Sequence, residues 1–152
     1  MKRVHSFAYE HYDSLDSLDD DDRRLVDRAR QAVATANAAY SHFRVGAAAR
    51  LRSGTILTGS NFESEVYPAG LCAERSLLFH AFACHAGDAI QSIAIASDPA
   101  ERECYPCGQC RQVLLDAERH QDSPIRIIMC SGSTATVVGR AADLLPFTFR
   151  LN

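Results

Sequence analysis

No apolar run in this chain reaches the roughly 20 residues that a bilayer-spanning helix needs. The pattern of a signal peptide is missing too. Lys2 and Arg3 stand at the start, but His5, Ser6, Glu10 and His11 interrupt the stretch that would have to be apolar. The expectation is a cytoplasmic protein with no membrane partner. Nor is there a surplus of positive charge: the net charge of −3 argues against a polyanionic partner such as a nucleic acid polymer. Arg23, Arg24, Arg28 and Arg30 do cluster, yet Asp19 to Asp22 and Asp27 sit among them, so no single-sign stripe forms for phosphates. There is no internal repeat, and the only biased stretch is the acidic run from Asp16 to Asp22. What the chain does have is 47% hydrophobic and 23% charged residues, the make-up of a folded globular protein. A length of 152 fits one domain, residues 1–152, with residues 1–18 expected as a loosely ordered N-terminal extension. A domain of that size buries roughly two-thirds of the surface its unfolded form exposes, so it needs no disulfide staple. The six cysteines are then better read as thiols or metal ligands, because the cytosol keeps thiols reduced.

Leu25, Val26, Ala29, Ala32, Val33 and Ala36 follow helical spacing, which puts the acidic run at a helix N-terminus where the dipole favours negative charge. Arg44 to Arg52 and Thr55 to Asn61 read as two strands around a Ser53-Gly54 turn. After a loop carrying Glu63, Tyr67, Pro68 and Gly70 comes a helix from about Cys72 to Cys84, then a strand from Ile90 to Ala96. A loop with Pro99, Cys104 and Pro106 leads to a second helix from about Cys107 to Glu118, followed by strands near Ile125 to Met129 and Thr136 to Val138. A hairpin followed by alternating helices and strands predicts an α/β fold, a three-layer α/β/α sandwich around a mixed sheet.

Two segments carry candidate chemistry: Cys72-Ala73-Glu74 and Pro106-Cys107-Gly108-Gln109-Cys110, each opening a helix. Residues three apart lie on one helix face, so Cys107 and Cys110 can offer two sulfurs to one ion, and Cys72 would add a third. Residues two apart do not share a face, so Cys72 and Glu74 converge only if Cys72 stands at the helix start. Three thiolates leave a zinc site with a formal charge of −1. The two helix N-termini and Arg75 are the groups that can offset it. An open fourth position would then hold water, with Glu74 as a base beside it. The rival is a closed zinc site, since Cys104, Cys107 and Cys110 form C-x-x-C-x-x-C and a fourth sulfur would abolish hydrolysis. An iron–sulfur reading lacks the expected further cysteine and proline downstream. On spacing alone, the open and closed sites both stand.

The chain resembles the small, homotetrameric, zinc-dependent cytidine deaminases. The resemblance runs from about Val33 to Phe149 and rests on specific segments: Tyr40-Ser41-His42-Phe43-Arg44-Val45-Gly46, Asn61-Phe62-Glu63 through Tyr67-Pro68, Leu71-Cys72-Ala73-Glu74-Arg75, Pro106 through Leu114, and Leu144-Leu145-Pro146 with Phe149. It implies one Zn2+ per subunit held by Cys72, Cys107 and Cys110, with Glu74 as the proton shuttle and Arg75 tuning the charge at the sulfurs. It implies a nucleoside substrate, with Asn61 and Glu63 on the sugar, Phe43 lining the base pocket and the Ala73 N–H on the pyrimidine carbonyl. It further implies a homotetramer in which Tyr67 contacts a neighbouring subunit and Phe149 reaches an adjacent active site. Arg44 and Ser64 depart from the residues common in the family, and Glu65 adds a carboxylate beside the sugar-binding segment. These departures leave room for a modified cytosine nucleoside as substrate.

Several other residues have ordinary readings. His80 and His85 lie eight or more residues along the helix from Cys72, about 12 Å or more along its axis, too far to be ligands. Cys84 and Cys130 read as small buried thiols. Phe147, Phe149 and Leu151 alternate with Thr148, Arg150 and Asn152, giving a short extended tail one apolar face that something must cover.

Overall fold

The computed structural model describes residues 1–151. Its strands are β1 (Tyr9–Tyr12), β2 (Arg44–Leu51), β3 (Ile56–Ser60), β4 (Ile90–Asp98), β5 (Arg126–Cys130) and β6 (Ala135–Val138), and its α-helices are α1 (Asp20–Ala32), α2 (Ala73–Cys84) and α3 (Gly108–His120). The strands form one sheet in the order β1-β6-β5-β4-β2-β3, with β4 and β5 parallel and the other neighbours antiparallel. The expected mixed sheet is therefore present, and helices lie on both faces. Side chains alternate across a strand, and here the alternation sorts residues by size. Val45, Ala49, Leu51, Ile93, Ile95, Ile127 and Met129 face α2 and α3. Ala48, Ala94, Ala96, Ile128 and Cys130 pack with α1 residues Leu25, Val26 and Ala29. The small residues on the second face let α1 sit close: a Cβ on Gly46 would stand 2.1 Å from the Ala29 carbonyl oxygen.

The acidic run starts α1 as expected. Asp19 is the N-cap and accepts from the Asp22 N–H at 2.8 Å, with Asp20, Asp21 and Asp22 in the first turn. Asp22 itself is not a solvated acid. It is buried, with Arg126 Nε at 3.1 Å and Arg50 Nη2 at 3.6 Å. Arg126 also reaches Glu10 at 3.3 Å. Through that chain of charges β1 is tied to α1 and β5. The reading of residues 1–18 as a loosely ordered extension is corrected for residues 9–18, where β1 pairs with β6 from Tyr9↔Val138 to Tyr12↔Ala135 and Leu15 and Leu18 are buried in the core beneath α1. Burial of those two leucines, together with the Arg126 bridge, outweighs the entropy of ordering a polar segment.

A glycine fixes the position of α2. A Cβ at Gly59 on β3 would lie 2.8 Å from the Ala73 carbonyl oxygen and 2.9 Å from both Leu77 N and Leu77 Cβ. These are largely backbone contacts, and a helix backbone cannot yield as a side-chain tip does. Gly59→Ala is expected to push the first turn of α2 outward. Overpacking of this kind costs about 1–3 kcal/mol. Urea melts check the stability loss, and metal analysis checks whether zinc retention falls with it.

Candidate active site

The two motifs meet because two helices begin at the same place. Cys72 is the N-cap of α2, with an extended backbone (φ −71°, ψ 157°), and Cys107 is the N-cap of α3 (φ −66°, ψ 168°). Neither makes the usual side-chain capping bond, so both thiols are free for another task. Cys110 follows in the first turn of α3, fully buried. The Cys72 and Cys107 sulfurs are 3.7 Å apart, those of Cys107 and Cys110 3.5 Å apart, and all three lie within 4.8 Å of one another. A disulfide would bring a pair to about 2.05 Å. Thiolates bound tetrahedrally to zinc at about 2.3 Å stand about 3.8 Å apart. The sulfur spacing fits zinc with little adjustment. Cys104 does not join this group. It is buried, its N–H donates to the Cys130 carbonyl at 3.1 Å, and burial pushes its thiol up to about 11.

The sulfurs share protons unevenly. A hydrogen bond from Cys110, helped by Arg75 and Cys107, pulls the Cys72 thiol down to about 5 against the cost of burial. The same bond and burial push Cys110 well above its ordinary value. The direction is that Cys72 carries the charge, because the Arg75 Nη2 lies 3.5 Å from its sulfur. Arg75 Nε is buried without a hydrogen-bond partner, so part of this guanidinium's donor capacity remains unused beside the sulfurs. Glu74, in the first turn of α2, is 3% exposed, and burial, then the Cys72 charge, pushes its carboxyl up to about 7. Its carboxylate lies outside the three-sulfur group. It is beside the metal position and not part of it.

Asn61 and Glu63 stand where the chain leaves β3, and both hold protein partners. The Asn61 amide accepts from the Val45 N–H at 2.7 Å and donates to the Phe43 carbonyl at 2.9 Å. Glu63 accepts from the Tyr40 N–H at 2.8 Å, the Ser41 N–H at 3.1 Å and the Ser41 hydroxyl. Those donors, the hydroxyl first, hold its carboxyl below the usual range. Together the pair pins residues 40–45, the segment that presents the half-exposed Phe43 ring. Ala73 is buried at the first position of α2, where a helix leaves its N–H without an intrahelical partner. Tyr67 is exposed and meets Tyr40 edge to face at 5.9 Å. Phe149 is exposed at the far end of α3, where Arg119 donates to the Thr148 hydroxyl at 3.1 Å and the Phe149 carbonyl at 3.5 Å. Arg119 is nine residues from Cys110, about 13 Å along the helix, so within its own chain Phe149 sits away from the sulfurs.

His80 and His85 meet edge to face with ring centroids 5.7 Å apart, and neither joins the three-sulfur group. Cys130 is buried and its thiol donates to the Ile95 carbonyl at 3.1 Å. Cys84 is exposed, which corrects its reading as a buried thiol: it is the last residue of α2 and falls on the solvent side, while Ala81 and Phe82 of the same turn pack on the core. The parts played by Ser41 and Tyr40 in holding Glu63 leave no mark in the chain's pattern, because a loop's hydrogen bonds have no periodicity to read.

Residues 19–122 match the family described as the cytidine and deoxycytidylate deaminase zinc-binding region. The chain belongs to that family. It is 37% identical over 132 residues to the cytidine deaminase of Mycobacterium tuberculosis H37Rv, covering 84% of this chain and 89% of that one. It is 38% identical over 96 residues to the cytidine deaminase of Halalkalibacterium halodurans, covering 63% and 71%. The crystal structure of cytidine deaminase from Burkholderia pseudomallei superposes with a TM-score of 0.72 at 34% identity, over 83% of this chain and 97% of that one. The crystal structure of the Mycobacterium tuberculosis cytidine deaminase gives 0.69 at 34%, over 88% and 100%. As a cytidine deaminase family member the chain is an enzyme with zinc as its cofactor, and Cys72, Cys107 and Cys110 are the group able to hold the ion. No helix among the described residues is long and apolar enough to cross a membrane.

Proposed function

We propose that this protein hydrolytically deaminates cytidine, deoxycytidine or both, giving uridine or deoxyuridine and ammonia. The observation that carries this reading is the three-sulfur group with the buried Glu74 carboxyl beside it but outside it. Bound by Cys72, Cys107 and Cys110, zinc supplies Lewis acidity that activates water. The protein does the rest. Glu74 takes the proton that water gives up and passes it to N3 of the pyrimidine while oxygen adds at C4. It then takes the remaining proton from the new C4 hydroxyl and delivers it to the amine as the C4–N bond breaks and the carbonyl forms, so one water is consumed and one ammonia leaves. Arg75 and the two helix N-termini offset the negative charge of three thiolates. The Ala73 N–H holds the pyrimidine carbonyl, Phe43 flanks the base, and Asn61 and Glu63 take the sugar hydroxyls with the acceptor and donor capacity their protein partners leave free.

The same reading makes residues 1–152 one domain, acting in the cytoplasm on small nucleosides in pyrimidine salvage. An assay of ammonia release over cytidine, deoxycytidine, an aminoacylated cytosine nucleoside and free cytosine tests it. Turnover of a plain nucleoside is expected. Sites whose polar groups are stranded without a substrate hydroxyl reject the stripped analogue by about 10⁴- to 10⁵-fold. Asn61 and Glu63 keep protein partners throughout, so the penalty for free cytosine is expected to fall below that range. Turnover confined to the aminoacylated nucleoside would defeat the plain-nucleoside reading.

The resemblance also supports a homotetramer in which Tyr67 contacts a neighbour and Phe149 enters the neighbour's site. Phe147, Phe149 and Leu151 are all largely exposed in one chain, as a tail awaiting a partner would be. Phe149→Ala is expected to raise KM for cytidine with zinc content unchanged. A fully active monomer at micromolar concentration in analytical ultracentrifugation would rule the shared site out.

A further inference from the structure

Arg111 follows Cys110 on α3 and is bonded to the chain on both sides of Cys107. Its backbone N–H donates to the Cys107 carbonyl at 2.9 Å, and its side-chain Nε donates to the Pro106 carbonyl, also at 2.9 Å. Those carbonyls belong to the two peptide units flanking the Cys107 Cα, so one residue fixes the backbone torsions that aim the Cys107 sulfur. The rest of the guanidinium points elsewhere: Nη1 reaches the Leu144 carbonyl at 3.4 Å. Leu144 ends the short 3-10 turn Ala141–Leu144, from which the C-terminal tail departs.

Two more side chains of the same helix hold that segment. Glu118 accepts from the Ala141 N–H at 2.6 Å and the Ala142 N–H at 3.2 Å, and Arg119 holds Thr148 and the Phe149 carbonyl. Positions 111, 118 and 119 are seven and eight apart, which places them on one side of the helix two turns along. Pro106 and Leu144 are both buried, so losing the guanidinium would leave two largely buried carbonyls short of a donor.

We propose that Arg111 is a positioning residue that orients Cys107 and ties it to the C-terminal segment, coupling metal retention to the seating of the tail. The proposal rests on the reading of Cys107 as a zinc ligand. Partners standing behind a metal ligand typically contribute 10- to 100-fold in metal affinity. Coupling between two sites runs both ways, so zinc should also steady the tail.

The test uses the full-length protein with Arg111→Met, which keeps the aliphatic stem, and Arg111→Lys, which keeps the charge without the fork. Zinc affinity is read by competition with a colorimetric chelator, and tail seating by hydrogen exchange over residues 141–151 with and without zinc. In the unaltered protein zinc is expected to slow exchange after Leu144. In Arg111→Met zinc should bind 10- to 100-fold more weakly and no longer slow exchange there, with Arg111→Lys between the two. Zinc affinity within twofold of the unaltered protein in both variants would overturn the proposal. So would an equal drop in melting temperature of zinc-free and zinc-loaded forms at unchanged affinity, which marks a purely structural residue. Turnover is not a readout of this test, so a zinc-loaded protein that deaminates no cytosine nucleoside would count against the proposed function alone.

Discussion

Replacing Glu74 with glutamine is expected to leave zinc and fold in place and to abolish most of the turnover of cytidine. The carboxyl is 3% exposed and outside the three-sulfur group, so the nearly isosteric amide removes no ligand and opens no cavity. Burial already raises the Glu74 carboxyl to about 7 by disfavouring its charged form, so the neutral amide carries little stability cost. Its chemistry is different. An amide can neither take up the proton from water nor return it to N3 and the leaving amine. General acid-base catalysis contributes about 10²- to 10⁴-fold, equivalent to about 3–5 kcal/mol, and a group that acts at several steps should lose at least that much. The comparison is kcat for the two proteins at matched zinc content. Near-normal turnover by Glu74→Gln would take Glu74 out of the mechanism.

Serine at Cys107 or Cys110 is expected to reduce zinc from one per chain to near zero and to remove activity with it. The three sulfurs able to hold the ion lie within 4.8 Å of one another, and Cys104 lies outside that group. A hydroxyl is a far poorer ligand than a thiolate, and among the described residues no fourth His, Cys, Asp or Glu joins the group. Cys104→Ser is the control. Its thiol is buried and pushed up to about 11, the state of an inert buried group and not of a ligand. That variant should keep its zinc and most of its turnover. Metal analysis after dialysis decides the matter: zinc loss in Cys104→Ser equal to that in Cys107→Ser would mean a closed four-sulfur site and no hydrolysis.

Local periodicity accounts for what could be read from the chain alone. The short strand runs of Arg44–Leu51 and Ile90–Asp98, buried on both faces, the Gly54 turn and the placing of Cys72 at a helix start were legible because each depends on neighbours in sequence. Strand β1 was not. Its four residues are largely exposed on both faces, so no alternation marks it, and its pairing with β6 joins residues more than a hundred apart. Asp22 was hidden for a similar reason: nothing in an acidic run singles out the one member that faces Arg126 and Arg50. The site divides in the same way. The cysteine spacing and the resemblance named the sulfurs, whereas the Arg111 contacts with Pro106 and Leu144 exist only once α3 and the C-terminal turn are packed together.

The most direct test of an open three-sulfur zinc site worked by Glu74 is a zinc titration of the metal-free protein read by ammonia release from cytidine. The rate should rise with added zinc and level off at one ion per chain, with uridine formed in equal amount to ammonia. Full occupancy at one zinc per chain with no ammonia released from cytidine, or a rate independent of zinc, would contradict it.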